Sequence, residues 1–272
     1  MKNLILIAVG LVFLTKMPVL AQQEFEILMM KRNYSDALKL IETEISASPS
    51  AELYYKKGLV LNSLQNYGGA IDAYQSAVQA DSANCDAITE LAECYSMLGN
   101  YHDAAYWFNK VVQLQPENLV LLAKQGRNYI SLKDYKQAYD CFTNIYKSDS
   151  TNIYWNKQLA YCAFRNGNKK QSQHLYQQVL SQNPRDYSTY TNLIRTYDKQ
   201  KEDTLITAIF EKGLTNFPGD AELLGERARF YFETKKYDLA KPDFESYFQA
   251  GGDSVYTVLM NYGIACYFAG ND

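Results

Sequence analysis

Arg127, Tyr161, Arg195 and Arg229 follow one another at intervals of 34 residues. Guanidinium groups repeated on one interval, with an aromatic among them, suit the capture of carboxylates and peptide side chains. The planar fork of Arg donates two parallel hydrogen bonds to a carboxylate, and Arg and Tyr dominate binding hot spots. Reaction chemistry finds less support. The chain holds two histidines, His102 and His174, which leaves little for a His-dependent mechanism. The G-x-S-x-G, HExxH and GxxxxGK[ST] patterns are missing. Acidic pairs such as Glu90 and Glu93 read as a solvated helix face, although a carboxylate mechanism stays open. Cys85, Cys94, Cys141, Cys162 and Cys266 lack CxxC spacing and join no acid or His cluster. Neither a metal nor a cofactor is expected.

These residues need elements to carry them, and the elements recur. Gly58, Ala92, Gly126, Ala160, Ile194 and Ala228 are spaced by 34 residues. Tyr67, Tyr101 and Tyr135 keep the interval, as do Ala70, Ala104 and Ala138. So do Tyr74, Phe108, Phe142, Tyr176, Phe210 and Phe244, and the series Ser82, Pro116, Ser150, Pro184 and Pro218. Within one interval, Ile88, Leu91, Ala92 and Tyr95 share a helical face. Tyr101, Ala104, Phe108 and Val111 share another beyond a Gly99-Asn100 turn. Two antiparallel helices approach closely only where side chains are small. The small residues of the first helix are therefore expected to face Ala70, Ala104 or Ala138 in the second.

The stretch Cys85–Asn118 resembles the tetratricopeptide repeat, with Ile88 where the family has Trp and Ala92 where it has Gly. The resemblance covers nearly all of residues 22–272 and implies an all-α, right-handed superhelical solenoid of antiparallel helix hairpins. About seven units are expected: a less regular one at 22–50, then units starting at 51, 85, 119, 153, 187 and 221. A partial unit follows from Val255. The unit from 187 is expected to stack unusually. Ile194 and Ile206 fill its small positions, and Gly213 offers compensating volume. Pro242 is expected to kink its helix.

Residues 1–21 read as a signal peptide: Lys2, an apolar run from Leu4 to Leu14, and Val19-Leu20-Ala21 before a cut between Ala21 and Gln22. The run is too short for a membrane span, no Cys follows the cut, and no second membrane segment exists. Exported, periplasmic or secreted protein is expected, similar to the tetratricopeptide proteins common in Bacteroidota. Oxidation is available there, but most cysteines sit inside helices as small buried hydrophobes, so no disulfide framework is expected. A net charge of −3 gives no reason to expect nucleic acid.

In the repeat family the first helices line a concave groove, and this places Arg127, Tyr154, Lys157, Tyr161, Phe164, Arg165, Arg195, Lys199 and Arg229 in a peptide-binding set. Glu52, Tyr55, Asp86, Thr89 and Glu93 make the N-terminal part of the groove acidic. The implied function is a non-enzymatic scaffold holding a protein or peptide partner, with the Arg set favouring an acidic one. A sugar-binding module using the aromatics and a hydrolase using a carboxylate pair are the alternatives. The carboxylate clamp known in the family is broken, because Tyr161 stands where Asn is expected and Glu222 and Glu226 stand where a basic pair is. Asp81-Ser82-Ala83, Asp149-Ser150-Thr151, Asp203-Thr204-Leu205 and Asp253-Ser254-Val255 resemble the O-glycosylation acceptor motif of exported Bacteroidota proteins. The alternative is Asp-Ser replacing Asp-Pro at repeat ends. The helix after Val255 is apolar all round, which expects either further repeats or association through this end.

Overall fold

The computed structural model describes residues 19–270. Among them the chain forms fifteen α-helices. In order these are α1 (Val19–Met30), α2 (Tyr34–Ala47), α3 (Ala51–Ser63), α4 (Tyr67–Ala80), α5 (Cys85–Met97), α6 (Tyr101–Leu114), α7 (Leu119–Ser131) and α8 (Tyr135–Ser148). They continue with α9 (Ile153–Arg165), α10 (Lys169–Gln182), α11 (Tyr187–Thr196), α12 (Asp203–Asn216), α13 (Ala221–Glu233), α14 (Tyr237–Gln249) and α15 (Tyr256–Phe268). The fold is an all-α helical repeat solenoid, and the first helices of its six full repeats begin at the residues the period predicts.

Local chemistry explains these boundaries. Ser50, Asn84, Asn118, Asn152, Asp186 and Asp220 each precede a first helix. Each accepts a hydrogen bond from the backbone N–H three residues on: Leu53, Ala87, Leu121, Trp155, Thr189 and Leu223. A cap of this kind satisfies a donor the helix leaves open and contributes about 1 kcal/mol. The first helices then end on left-handed residues: Gln65 (φ 59°), Gly99 (77°), Lys133 (61°), Gly167 (86°) and Lys235 (59°). The next N–H bonds back five residues, as from Asn66 to Leu61 O and from Asp134 to Tyr129 O, both at 2.9 Å. That closes the helix end and reverses the chain.

Packing divides the described residues into two compact bodies, meeting between Cys141 and Phe142 within α8. In the first, Phe25, Ala37, Ile41, Leu53 and Val60 form one cluster. A larger one runs from Leu61 and Ala70 to Val111 and Leu121. At Gly58 the nearest neighbour is an aromatic ring. A Cβ on Gly58 would lie 2.3 Å from the Tyr74 ring, so the small position of α3 seats the aromatic of α4, one turn beyond Ala70. In the second body, Phe210, Phe230 and Phe244 are buried.

The repeat from 187 departs from the others as a shortened first helix. α11 has 10 residues, against 13 in α9 and α13. Thr196 Oγ1 donates to Leu193 O at 2.6 Å, and Tyr197 turns extended (φ −89°, ψ 153°). The Asp198 N–H is taken by Glu202 Oε2 at 2.8 Å. These bonds compete with another helical turn. Ile194 and Ile206 are buried, and a Cβ on Gly213 would meet Tyr190 and Leu223 at 3.4 Å. α14 continues through Pro242 to Gln249.

The chain is already helical at Val19, ahead of the expected cut after Ala21, and Ala21 packs on the first cluster. The rest of the expected leader, residues 1–18, lies outside the described residues, as do Asn271 and Asp272. No described helix is long and apolar enough to cross a membrane.

Candidate functional site

α9 carries Tyr154, Lys157, Tyr161, Phe164 and Arg165. Tyr154 is 47% exposed and sits edge-on to Trp155, ring centroids 4.8 Å apart. Tyr161 and Phe164 are half-buried. The Arg165 guanidinium donates to the Tyr161 hydroxyl at 2.9 Å and lies 5.7 Å from its ring centroid. On α11, Arg195 is exposed and makes no ion pair among the described residues. An aromatic row and an uncompensated guanidinium thus stand on neighbouring first helices of the second body.

The other expected cations are engaged. Lys157 Nζ donates to both Asp186 oxygens, at 2.9 and 2.8 Å, and to Ser188 Oγ at 2.9 Å. Asp186 is also the cap of α11, so Lys157 ties α9 to the next helix start. Burial pushes the Asp186 carboxyl up, but hydrogen bonds from Lys157, Thr189 and Ser188 outweigh burial and hold it below the usual range. Lys199 pairs with Glu233 and Arg229 with Glu226, both on the solvent side. Expected by charge alone to be basic, this face is largely neutralised by its own carboxylates. Arg227 was not among the expected residues. It makes a two-fold contact with nearly buried Asp243, at 2.7 Å for each bond, and so joins α13 to α14. Glu222, Glu226, Arg229, Tyr247 and Asn261 line a cleft of about 670 Å³.

In the first body Arg127 is exposed on α7. The acidic part is less uniform than a solvated face. Glu52 pairs with Lys56 at 2.8 Å, and Glu93 with Lys124 at 2.9 Å. Glu90 is half-buried and accepts from Asn62 Nδ2 at 3.3 Å. Burial, together with the Glu93 and Asp86 charges, pushes its carboxyl above the usual range, against the opposing pull of Lys124. The sequence reads Glu90, with Glu93, as part of a solvated helix face, and the half-burial of Glu90 departs from that expectation.

The thiols do not pair: among the described residues no disulfide forms. Burial pushes Cys94 and Cys141 up to about 12, which keeps both protonated and unreactive. Ser82, Ser150, Thr204 and Ser254 are all exposed. Asp81 and Asp149 accept from the backbone of Ala83 and Thr151 at 3.0 Å, so these two Asp residues close turns. On α15, Tyr256 (78%), Tyr267 (67%) and Phe268 (48%) are exposed.

Sequence models described as Tetratricopeptide repeat match residues 24–84 and 158–186. One described as Anaphase-promoting complex, cyclosome, subunit 3 matches 63–145. A TPR repeat-containing protein of Methanocaldococcus jannaschii is 29% identical over 185 residues, which is 64% of this chain and 32% of that protein. Anaphase-promoting complex subunit 3 of Schizosaccharomyces pombe is 27% identical over 121 residues, 44% of this chain and 18% of that one. The chain spans about a third or less of the length of these relatives. Among solved structures, a tetratricopeptide repeat protein of Parabacteroides merdae aligns over 90% of this chain and 97% of its own, with a TM-score of 0.59 and 19% identity. The C-terminal part of a TPR repeat-containing protein of Cytophaga hutchinsonii reaches a TM-score of 0.73 at 14% identity, over 88% and 98%. YrrB, described as a TPR protein with an unusual peptide-binding site, gives 0.59 at 20% identity, over 67% and 94%. At these identities the likeness is one of fold.

Proposed function

The chain is a tetratricopeptide repeat protein, and from that premise we propose that it is a non-enzymatic interaction scaffold which holds a peptide segment of a partner against its first helices. Tyr154, Tyr161, Phe164, Arg165 and Arg195 make the contact in the second body, with Lys199 and Arg229 at its edge. Lys157 positions α11 through Asp186, and Arg127 offers a separate cation in the first body. The observation that carries this reading is exposed Arg195, without a counter-ion, on the helix next to an aromatic row. An exposed guanidinium beside aromatics suits a carboxylate-bearing segment, whose acid takes the fork while its apolar side chains cover the rings. That a repeat protein of similar fold is described by its peptide-binding site supports the same use of this fold. Removal of residues 1–21 would place the scaffold in the cell envelope.

The test compares the unaltered protein with Arg195→Ala and with Tyr161→Ala, leaving Lys157 in place because its loss would unpair Asp186. Photo-crosslinked capture from native envelopes is read at low and high salt. Capture that falls in both variants, and falls with salt in the unaltered protein, supports the reading. Capture that ignores salt and Arg195 but needs Tyr161 transfers the site to sugar stacking. Capture unchanged in both variants, with the fold intact, overturns it.

A further inference from the structure

The first body holds a second feature, whose reading rests on the scaffold function above and adds a partner chemistry to it. Asp86, Glu90 and Glu93 lie one or two turns apart along α5. Asp86 and Glu90 border a cleft of about 190 Å³ that Tyr55, Thr89, Asn118 and Lys124 also line. Among the described residues Lys124 makes the ion pair of this row, and it makes it with Glu93. Asp86 is exposed and makes no ion pair among the described residues. Glu90 has the one long hydrogen bond from Asn62.

A second group near this cleft also lacks a partner. The Tyr74 ring has no exposed surface, and its hydroxyl makes no well-formed hydrogen bond. That hydroxyl lies against the Asn62–Glu90 pair, close enough for the Glu90 charge to raise it further after burial has done so. Buried polar groups normally find partners. Here a phenol and a carboxylate are both under-served at one place.

Repeat packing does not require an acid there. The position of Glu90 is held by Lys56 one repeat before and by Lys124 one repeat after. In the repeat from 221 the equivalent acid, Glu226, is compensated within its own helix by Arg229. Lys124 already shows how an ammonium seats beside Glu93 in this row. Among the described residues no group of three or more His, Cys, Asp or Glu is placed to hold a metal ion.

We propose that the cleft between α3, α5 and α7 receives a lysine or arginine side chain from a partner protein. Its cationic head donates to Asp86 and Glu90, and its aliphatic stem lies along Tyr55.

The probes are N-acetyl-lysine methylamide, N-acetyl-arginine methylamide and the uncharged N-acetyl-norleucine methylamide, titrated into the ¹⁵N-labelled full chain. The cationic probes should shift the amides of residues 86–93 and of Lys124, and norleucine should not. Asp86→Asn with Glu90→Gln should weaken the lysine probe about tenfold or more, since truncating a charge partner mainly raises the off-rate. Asp86→Asn alone, at an exposed position, gives the same direction if the double variant folds poorly. Arg195→Ala should leave the lysine probe unaffected. Equal shifts from norleucine, or shifts that survive the Asp86→Asn change, overturn the proposal. A lysine probe that binds while envelope capture ignores Arg195 and Tyr161 would sink the peptide-holding reading and spare the cleft.

Discussion

At the residue scale, backbone conformation and close approach pull in opposite directions at Lys133, just past the end of α7, and at Gly58, inside α3. Lys133 sits at φ 61°, where Gly99 sits at 77° one repeat earlier. A side chain there costs about 1–2 kcal/mol, partly offset because Gly loses more freedom on folding. Lys133→Gly should therefore stabilise by about 0.5–1 kcal/mol. Gly58 is the reverse case, because its missing Cβ is where the Tyr74 ring lies. Gly58→Ala should cost about 1–3 kcal/mol, as overpacking does, with the ring forced to move. Urea unfolding of the two variants checks both signs, and a neutral Gly58→Ala would mean that Tyr74 can swing away cheaply. The period marked Gly58 as a small position but did not single out Lys133, since it carries neither φ nor contact distance.

At the element scale, the linkage of α9 to α11 through Lys157 and Asp186 predicts a pH dependence. The Asp186 carboxyl is held below its ordinary value in the folded chain. Its stabilising contribution is therefore complete above the ordinary carboxylate range and is lost as pH falls through the lower folded value. Asp186→Asn should lower thermal stability at neutral pH and flatten the acid limb of the stability curve. The gap between variant and unaltered protein should close at low pH. A constant gap across the titration would show that Asp186 acts only as a cap. The shortened α11 belongs to this scale too. Ile194 and Ile206 marked its repeat as different, but the helix stop came from Thr196, Tyr197 and Glu202, whose bonds no periodic pattern encodes.

At the scale of the whole molecule, the two ends carry the remaining expectations. α1 contains the proposed cut and also contributes Ala21 to the first cluster. N-terminal sequencing of exported protein should begin at Gln22. A start at Met1 would overturn the envelope location. α15 leaves Tyr256, Tyr267 and Phe268 open to solvent, so a protein ending at Asp272 should scatter light above its monomer mass or bind a hydrophobic dye. A dye-silent monomer at high concentration would show that this face is tolerated bare.

The helices, their order and their starts were determined by the sequence itself. Apolar spacing, N-caps such as Asn84 and Asn152, and turns such as Gly99-Asn100 act over a few residues, and each repeats at 34. The cap series was as legible as the aromatic one. Only the tertiary structure decided which charges remain available. Lys157 meets Asp186 across 29 residues, Lys124 meets Glu93 across 31, and Arg227 meets Asp243 across 16. Such pairs depend on how a neighbouring helix is rotated and how deeply it packs. A one-dimensional pattern shows that a cation is present but not that an acid has already claimed it. For the same reason Glu90 reads in sequence as one of a solvated pair, and becomes an under-served carboxylate only once Asn62, Tyr74 and Lys124 are brought around it.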